Sequence, residues 1–144
     1  MTRYLCDTSV LVASLCDWHQ HYRLSRNEIV ERTDGGQELV LAAHSLAETY
    51  AVLTRLPGHY RLPPGTAIAL LHKNWRKTPT IHLDGREVWD ALGEAQRQGA
   101  TGGRMYDVLI AHCAIKAGAF ALVTWNVRHF AAFASRLNVV TPAG

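Results

Sequence analysis

Short apolar runs alternate with longer amphipathic segments along this chain, and the alternation predicts the parallel strands and helices of an α/β fold. The apolar runs predict five strands, at Tyr4–Cys6, Glu38–Ala43, Thr80–Leu83, Phe120–Thr124 and Asn138–Val140. Helical spacing predicts the connecting helices, at Thr8–Cys16, His19–Arg32, His44–Leu56, from Pro63 onward, around Val88–Ala95 and at Met105–Ala117. Because right-handed crossovers place helices on both faces of a parallel sheet, we expect a three-layer α/β/α sandwich formed by one domain over residues 1–144.

The same spacing indicates which helix faces should meet the core. These faces carry Ile68, Leu71 and Trp75 on one helix and Val88, Trp89, Leu92 and Ala95 on the next. The segment Met105–Ala117 is apolar nearly all round and predicts a buried helix. Parallel sheets of this kind place their ligand sites at the carboxyl ends of the strands, so we look there for functional residues.

Composition adds mild constraints. The 144 residues are 48% hydrophobic and 19% charged, which suits a globular core, and the formal charge of +3 is compatible with a phosphate-rich partner without demanding one. The three cysteines are widely spaced, so neither a disulfide framework nor a zinc site is predicted. Charge near the amino terminus and the lack of a long apolar run predict neither export nor membrane insertion, and we expect a cytoplasmic protein.

Three acids and one amide lie where the predicted strands end or the following helices begin. Asp7 ends the first strand, Glu48 lies early in the helix after the second, Asp107 begins the buried helix, and Asn126 follows the fourth strand. Their oxygens are the hard ligands that Mg²⁺ and Mn²⁺ take. Carboxylates held together without a cation would repel one another, so we predict a divalent-metal site with these residues.

Each of these residues also has a purely structural explanation. Asp7 can cap the following helix, and Ser45 with Glu48 matches a capping box. Asp107 can interact with a helix dipole, although an ionised Asp in so apolar a segment is costly without a partner. Asn126 is of a type common in turns and caps. Their shared location is what favours a functional role.

Four segments together resemble a known family. They are Cys6–Leu11 with the sequence CDTSVL, the isolated Glu48, Arg104–Ala111 with RMYDVLIA, and Leu122–Phe130 with LVTWNVRHF. In this order and spacing they look like the successive motifs of PIN-domain nucleases, and among these of the VapC-type toxins of bacterial toxin–antitoxin pairs. The resemblance covers essentially the whole chain, which makes it more specific than any single acid.

The resemblance implies a homodimeric endoribonuclease dependent on Mg²⁺ or Mn²⁺, acting as the toxin of a type II pair with a separate antitoxin polypeptide. It implies that Asp7, Glu48 and Asp107 bind metal and that the products carry 5′-phosphate and 3′-hydroxyl ends. Asn126 departs from the family, in which many members have Asp. A neutral amide coordinates through its carbonyl oxygen but adds no charge, so we expect one ion and leave a second open.

Residues beside these acids are candidates for supporting roles. Thr8 and Thr124 lie close enough in sequence to orient a carboxylate or a water molecule, although helix capping explains them equally well. Arg104, Arg128 and His129 can contact RNA phosphates, or they can be ordinary exposed charges.

Three other functions share parts of this pattern. A haloacid-dehalogenase-type phosphotransferase needs a second Asp two residues after the first, and Ser9 stands there. A receiver-like signalling domain expects a Lys on a late strand, and the segments Phe120–Trp125 and Asn138–Thr141 contain none. A catalytically weak RNA-binding or assembly domain with the nuclease fold stays open because of Asn126.

Overall fold

Five short parallel strands form the central sheet of the computed structural model, which describes residues 1–143. They are β1 (Arg3–Cys6), β2 (Glu38–Ala42), β3 (Thr80–Ile81), β4 (Ala121–Val123) and β5 (Asn138–Val140). Their order in the sheet is β3-β2-β1-β4-β5, and every neighbouring pair is parallel. The first strand is therefore central, and the chain reverses its direction of winding between β1 and β4.

Helices connect these strands. The α-helices are α1 (Thr8–Leu15), α2 (Tyr22–Asp34), α3 (Ala43–Thr54), α4 (Pro64–Trp75), α5 (Gly85–Gln98) and α6 (Arg104–Lys116), and Gly58–Tyr60 and Val127–Phe133 are 3₁₀-helices. Helices α1 to α4 contribute to the core on one face of the sheet, and α5, α6 and the second 3₁₀-helix to the core on the other. The predicted three-layer α/β/α architecture is confirmed. Within residues 1–143, no helix has the length and hydrophobicity to cross a membrane.

The strands divide their side chains between two cores. On β1, Tyr4 and Cys6 enter one core while Leu5 enters the other, and on β4 the neighbours Leu122 and Val123 separate in the same way. All of these side chains are fully buried. A strand covered on both faces needs apolar residues at consecutive positions, which explains why the strands read as unbroken apolar runs.

The predicted core faces of two helices are partly wrong. On α5, Trp89 is 75% exposed and Leu92 is 40% exposed, whereas Ala95 is buried as predicted and Ala91, which was not predicted, is buried beside it. Ile68 on α4 is exposed as well, whereas Leu71 and Trp75 are buried as predicted. Helix α5 carries apolar residues on more than one face. The face that carries the two small alanines packs against the core. Periodicity identifies an apolar stripe but not which of two stripes a neighbour covers.

The second helix begins three residues later than predicted. Residues 17–21 form turns, and the backbone N–H of His21 donates to Nδ1 of the His19 ring at 3.0 Å. A side chain that accepts a backbone hydrogen bond competes with helix formation at that point. Helix α2 therefore begins at Tyr22, and His19 and His21 project from a loop.

Glu94 joins three segments on the second face of the sheet. One of its oxygens, Oε1, accepts from His112 Nε2 on α6 at 2.7 Å and from Arg136 Nη1 at 3.1 Å, and Oε2 accepts from Arg136 Nη2. The Arg136 guanidinium, followed by His112, lowers the pKa of Glu94 to about 2. This cluster ties α5 to α6 and to the chain leading into β5.

We predict that Glu94→Gln lowers the free energy of unfolding at neutral pH by about 1–3 kcal/mol, the range for hydrogen bonds to charged groups. Because the folded pKa of Glu94 lies below its ordinary value of 4.5, its stabilisation is complete above that pH and declines as the pH falls toward 2. Urea unfolding at pH 7, 4 and 2.5 measures this. Glu31→Gln, on an exposed position of α2, is the control. A difference from the parent that does not shrink with acid would contradict the assignment.

Candidate active site

A cavity of about 790 Å³ lies at the carboxyl ends of β1 and β4. Asp7, Glu48, Asp107 and Asn126 all line it, although they come from four separate segments of the chain. The reversal of winding between the neighbouring strands β1 and β4 leaves such a crevice in an open parallel sheet. The structure thus brings the four residues singled out in the sequence to one place.

Asp7 is the most buried of these residues, with 3% of its surface exposed. Its Oδ1 accepts from the Ser9 hydroxyl at 2.6 Å and from the Val10 backbone N–H at 3.2 Å. Its Oδ2 accepts from the Thr124 hydroxyl at 2.5 Å. Asp7 therefore caps α1, as one explanation predicted, and also faces the cavity. The two roles coexist in one side chain.

Burial dominates the acidity of Asp7. Loss of water around the carboxylate raises its pKa to about 6, against the lowering effect of the hydrogen bonds from Ser9, Thr124 and Val10, and the negative charge of Asp107 raises it further. The three hydrogen bonds therefore do not offset the free-energy cost of burying the charged carboxylate. A cation next to the carboxylate would offset it.

Asp107 lies in the first turn of α6, where a histidine and an arginine side chain lie beside its carboxylate. Its Oδ2 is 3.1 Å from His129 Nδ1 and 3.9 Å from Arg104 Nε. Burial raises the pKa of Asp107, His129 and Arg104 oppose that rise, and the charge of Glu48 adds to it. Unlike Asp107, the Glu48 side chain makes no hydrogen bond or ion pair with any of residues 1–143.

The structure also tests the capping explanations. Helix α3 begins at Ala43 with Ala42 as its cap, and the Ser45 hydroxyl has no partner among residues 1–143, so Ser45 and Glu48 form no capping box. Asn126 precedes the 3₁₀-helix but makes no side-chain cap hydrogen bond. The capping explanation is therefore wrong for Glu48 and unsupported for Asn126.

The two threonines proposed to orient the acids behave differently. Thr124 donates to Asp7 and also accepts from the Asn126 backbone N–H at 2.8 Å. The Thr8 hydroxyl is buried at the cavity wall and has no partner within the described chain. Ser9 donates to Asp7 in its place, which sequence reasoning missed. The signal was present, because a Ser two residues after a helix-capping Asp lies within reach of its carboxylate.

Two of the three residues predicted to contact RNA phosphates line the cavity, namely Arg104 and His129. Arg128 is exposed but does not contribute to the wall of this cavity. Sequence reasoning also passed over His19, Gln20 and His21, which line the cavity from the loop between α1 and α2. No spacing rule marks them, because a nonlocal contact brings that loop to the site.

The donor set suits a hard divalent cation. Three carboxylates and an amide carbonyl face one cavity, and oxygen ligands of this kind are those that Mg²⁺ and Mn²⁺ take. Within residues 1–143, no three His, Cys, Asp or Glu side chains converge as ligands of a single ion. Convergence requires rotation of side chains, and Glu48, which no polar contact holds, has that freedom. The residues present fit such an ion.

Comparisons with known proteins agree with this geometry. A family model described as PIN domain matches residues 4–135. Ribonuclease VapC40 of Mycobacterium tuberculosis is 37% identical over 125 residues, which are 85% of this chain and 85% of that protein. The crystal structure of M. tuberculosis VapC20, described as a sarcin-ricin loop cleaving toxin, has a TM-score of 0.72 at 17% identity and covers 90% of this chain and 94% of its own. VapBC2 from Rickettsia felis, bound to a promoter DNA fragment, has a TM-score of 0.70 at 18% identity and covers 97% and 98%.

We predict that Asp7→Asn stabilises the protein at neutral pH when a chelator is present. The folded pKa of about 6 exceeds the ordinary value of 3.8, so the parent loses stability as the pH rises between these values and does not regain it above them. The loss in free energy of unfolding is up to about 3 kcal/mol, and Asp7→Asn avoids it because the amide is neutral. Urea unfolding from pH 4 to pH 7.5 should show the advantage of Asp7→Asn growing with pH. Asp90→Asn, on the exposed side of α5, is the control, and a pH-independent difference for Asp7→Asn would contradict the prediction.

Proposed function

The chain belongs to the PIN domain family, and from this premise we propose that it is an endoribonuclease that depends on Mg²⁺ or Mn²⁺. Its substrate would be RNA, cut by hydrolysis of phosphodiester bonds. We further propose that it is the toxin of a type II toxin–antitoxin pair. This last step rests on the relatives, because one is a VapC ribonuclease and a structural neighbour is a VapBC assembly.

One observation carries the nuclease proposal. Asp7, Glu48 and Asp107 line a single cavity, and the two aspartates have raised pKa values because burial and neighbouring negative charge both oppose ionisation. A purely structural role does not explain three acids gathered in this way, since their repulsion destabilises the folded state. Cation binding turns that repulsion into affinity.

The chain's own residues divide the work at such a site. Asp7, Glu48 and Asp107 would hold the ion through carboxylate oxygens, and Asn126 can add its carbonyl oxygen. When bound, a divalent ion supplies activation of water for attack on phosphorus and neutralisation of charge on the phosphate. The hydrogen bonds on Asp7 keep its carboxylate in one orientation. Arg104 lines the same cavity, where its guanidinium can contact a phosphate.

The partners follow from the same premise. We propose that a separate antitoxin polypeptide binds this chain and that two copies of the chain form a homodimer. The exposed Trp89 on α5 is a feature of the surface that supports such an association, because it is a large aromatic side chain that no other part of the described chain covers. Sedimentation of the purified protein, alone and mixed with a candidate antitoxin polypeptide, tests both associations.

We predict that Asp107→Asn abolishes RNA cleavage and leaves the fold intact, because it removes one ligand charge at nearly constant volume. Total RNA is incubated with Mg²⁺, with Mn²⁺ or with chelator, and the ends of the products are mapped. The parent should cut only with metal and leave 5′-phosphate and 3′-hydroxyl ends. Asp90→Asn is the matched control and should cut like the parent.

The outcomes separate the candidate functions. Cleavage that persists in chelator, or 2′,3′-cyclic phosphate ends, would contradict a metal-dependent mechanism. RNA binding by the folded parent without any cleavage would favour the weakly catalytic RNA-binding domain, for which Asn126 is the supporting feature. Loss of circular dichroism signal in Asp107→Asn would show a structural effect instead.

We predict that Asn126→Asp lowers the Mg²⁺ concentration needed for half-maximal cleavage. The added carboxylate faces the cavity, and the gain should weaken as salt screens it. Asn126→Ala should raise the same midpoint. The backbone N–H of residue 126 still donates to Thr124 in both variants, so melting temperatures should stay close to that of the parent. An unchanged Mg²⁺ midpoint in Asn126→Asp would remove this residue from the site.

A further inference from the structure

One wall of the cavity is made of rings and carries no acid. The imidazole of His21 stacks on the indole of Trp125, with ring centroids 3.8 Å apart and planes inclined by 13°. The ring of His19 lies next, with its centroid 5.7 Å from that of His21. All three side chains line the cavity that holds Asp7, Glu48 and Asp107. The nuclease proposal gives this wall no role.

The stacked pair is anchored on both sides. The indole Nε1 donates to the hydroxyl of Ser25, a fully buried residue of α2, at 2.8 Å. The Trp125 backbone N–H donates at 3.1 Å to the Ser9 hydroxyl, which in turn donates to Asp7. The indole's polar atom is thus satisfied within the protein, and its ring is held at a set position relative to the catalytic carboxylate.

The His19 ring of this wall offers a hydrogen-bond donor at its edge. Nδ1 of His19 accepts the His21 backbone N–H, so in its neutral form the ring carries its proton on Nε2 and can donate from that atom. Burial, and then the neighbouring His21, lower the pKa of His19, which favours the neutral ring at neutral pH. A flat aromatic surface with a donor at its edge suits a nucleobase better than a phosphate.

We propose that the His21–Trp125 pair is a stacking platform for one unpaired base beside the scissile phosphate. The proposal rests on the ribonuclease function proposed above and names its substrate more closely. A base stacked on this platform has left the stack of its own strand, so cleavage should occur in unpaired RNA, such as a loop or single strand. Specificity for the flanking base then arises at this wall.

Position favours a base over a segment of a partner protein. The rings share one cavity with the acids, and the Trp125–Ser9–Asp7 hydrogen bonds link the two halves directly. A phosphate placed at the acids carries its own nucleosides with it, and these have to meet the neighbouring wall. A partner segment bound at this wall would have no such covalent link to the reacting phosphate.

The test uses the parent enzyme with Mg²⁺ and a single-stranded RNA whose cleavage position has been mapped. Each nucleotide flanking that position is replaced in turn by an abasic nucleotide, which keeps the sugar and phosphate but removes the base. At one flanking position the change should lower kcat/KM about tenfold, the scale of stacking one base on an aromatic surface. Abasic nucleotides several positions away should cost little, and the same sequence in a duplex should be cut poorly.

Variants then show which side chains carry the effect. His21→Ala should lower kcat/KM on the intact RNA, and the abasic replacement should then cause no further drop. His21→Phe can still stack on a base, so it should keep most of the drop in kcat/KM that the abasic replacement causes in the parent. His72→Ala, which changes an exposed histidine of α4 far along the chain, should behave like the parent. A merely structural role for His21 would lower both rates equally and leave their ratio unchanged.

Failure of this inference is distinct from failure of the nuclease proposal. If the parent cuts intact RNA but no flanking abasic nucleotide affects kcat/KM, or if His21→Ala keeps the full penalty, the platform is wrong while the nuclease stands. If His21→Ala does not fold, the parent still keeps the platform falsifiable, because the absence of any flanking abasic penalty overturns it, and His21→Phe replaces His21→Ala as the variant. Equal cleavage of single-stranded and duplex RNA would also overturn the platform. A parent that cuts no RNA would overturn both.

Discussion

The buried carboxylate of Asp7 is the constraint on which much of this structure depends. It sits where β1 ends and α1 begins, almost wholly removed from water, and a charge in that place needs donors from its surroundings. Val10 and Ser9 supply them from α1, and Thr124 supplies one from the end of β4. The same three contacts join the central strand, its helix and the neighbouring strand at the sheet edge where the cavity opens.

Those hydrogen bonds offset only part of the free-energy cost of burying the Asp7 charge. The part that is not offset would favour a cation bound next to the carboxylate. Its pKa stays near 6 because burial outweighs three hydrogen bonds, and Asp107 pushes it in the same direction. A role for Asp7 as a helix cap alone does not explain why a second, half-buried acid, Asp107, lines the same cavity. The structure thus keeps an unfavourable electrostatic interaction at the strand ends, which a cation bound at the proposed site would relieve.

Much of the fold could be predicted because buried parallel strands demand continuous apolar runs, and Leu39, Val40 and Leu41 are such a run. That Asp7, Glu48 and Asp107 line one cavity could likewise be predicted, since ligand sites of parallel sheets lie at the carboxyl ends of the strands. The outward face of Trp89 and the stacking of His21 on Trp125 could not be predicted, because each depends on which distant part of the chain packs against it. The Glu48 capping box failed for a related reason. Helix α3 begins two residues before Ser45, so the motif lies inside the helix rather than at its end.

Charge balance gives the neutral Asn126 a meaning within the proposed site. Three carboxylates face the cavity, and Arg104 brings one permanent positive charge close to Asp107. One divalent ion together with that guanidinium balances the three acids, so a fourth carboxylate at position 126 would leave an excess negative charge against the incoming phosphate. The amide keeps an oxygen ligand there without that repulsion. On this reasoning the proposed site would hold a single ion tightly. Arg104 would supply the positive charge that a second ion would otherwise bring.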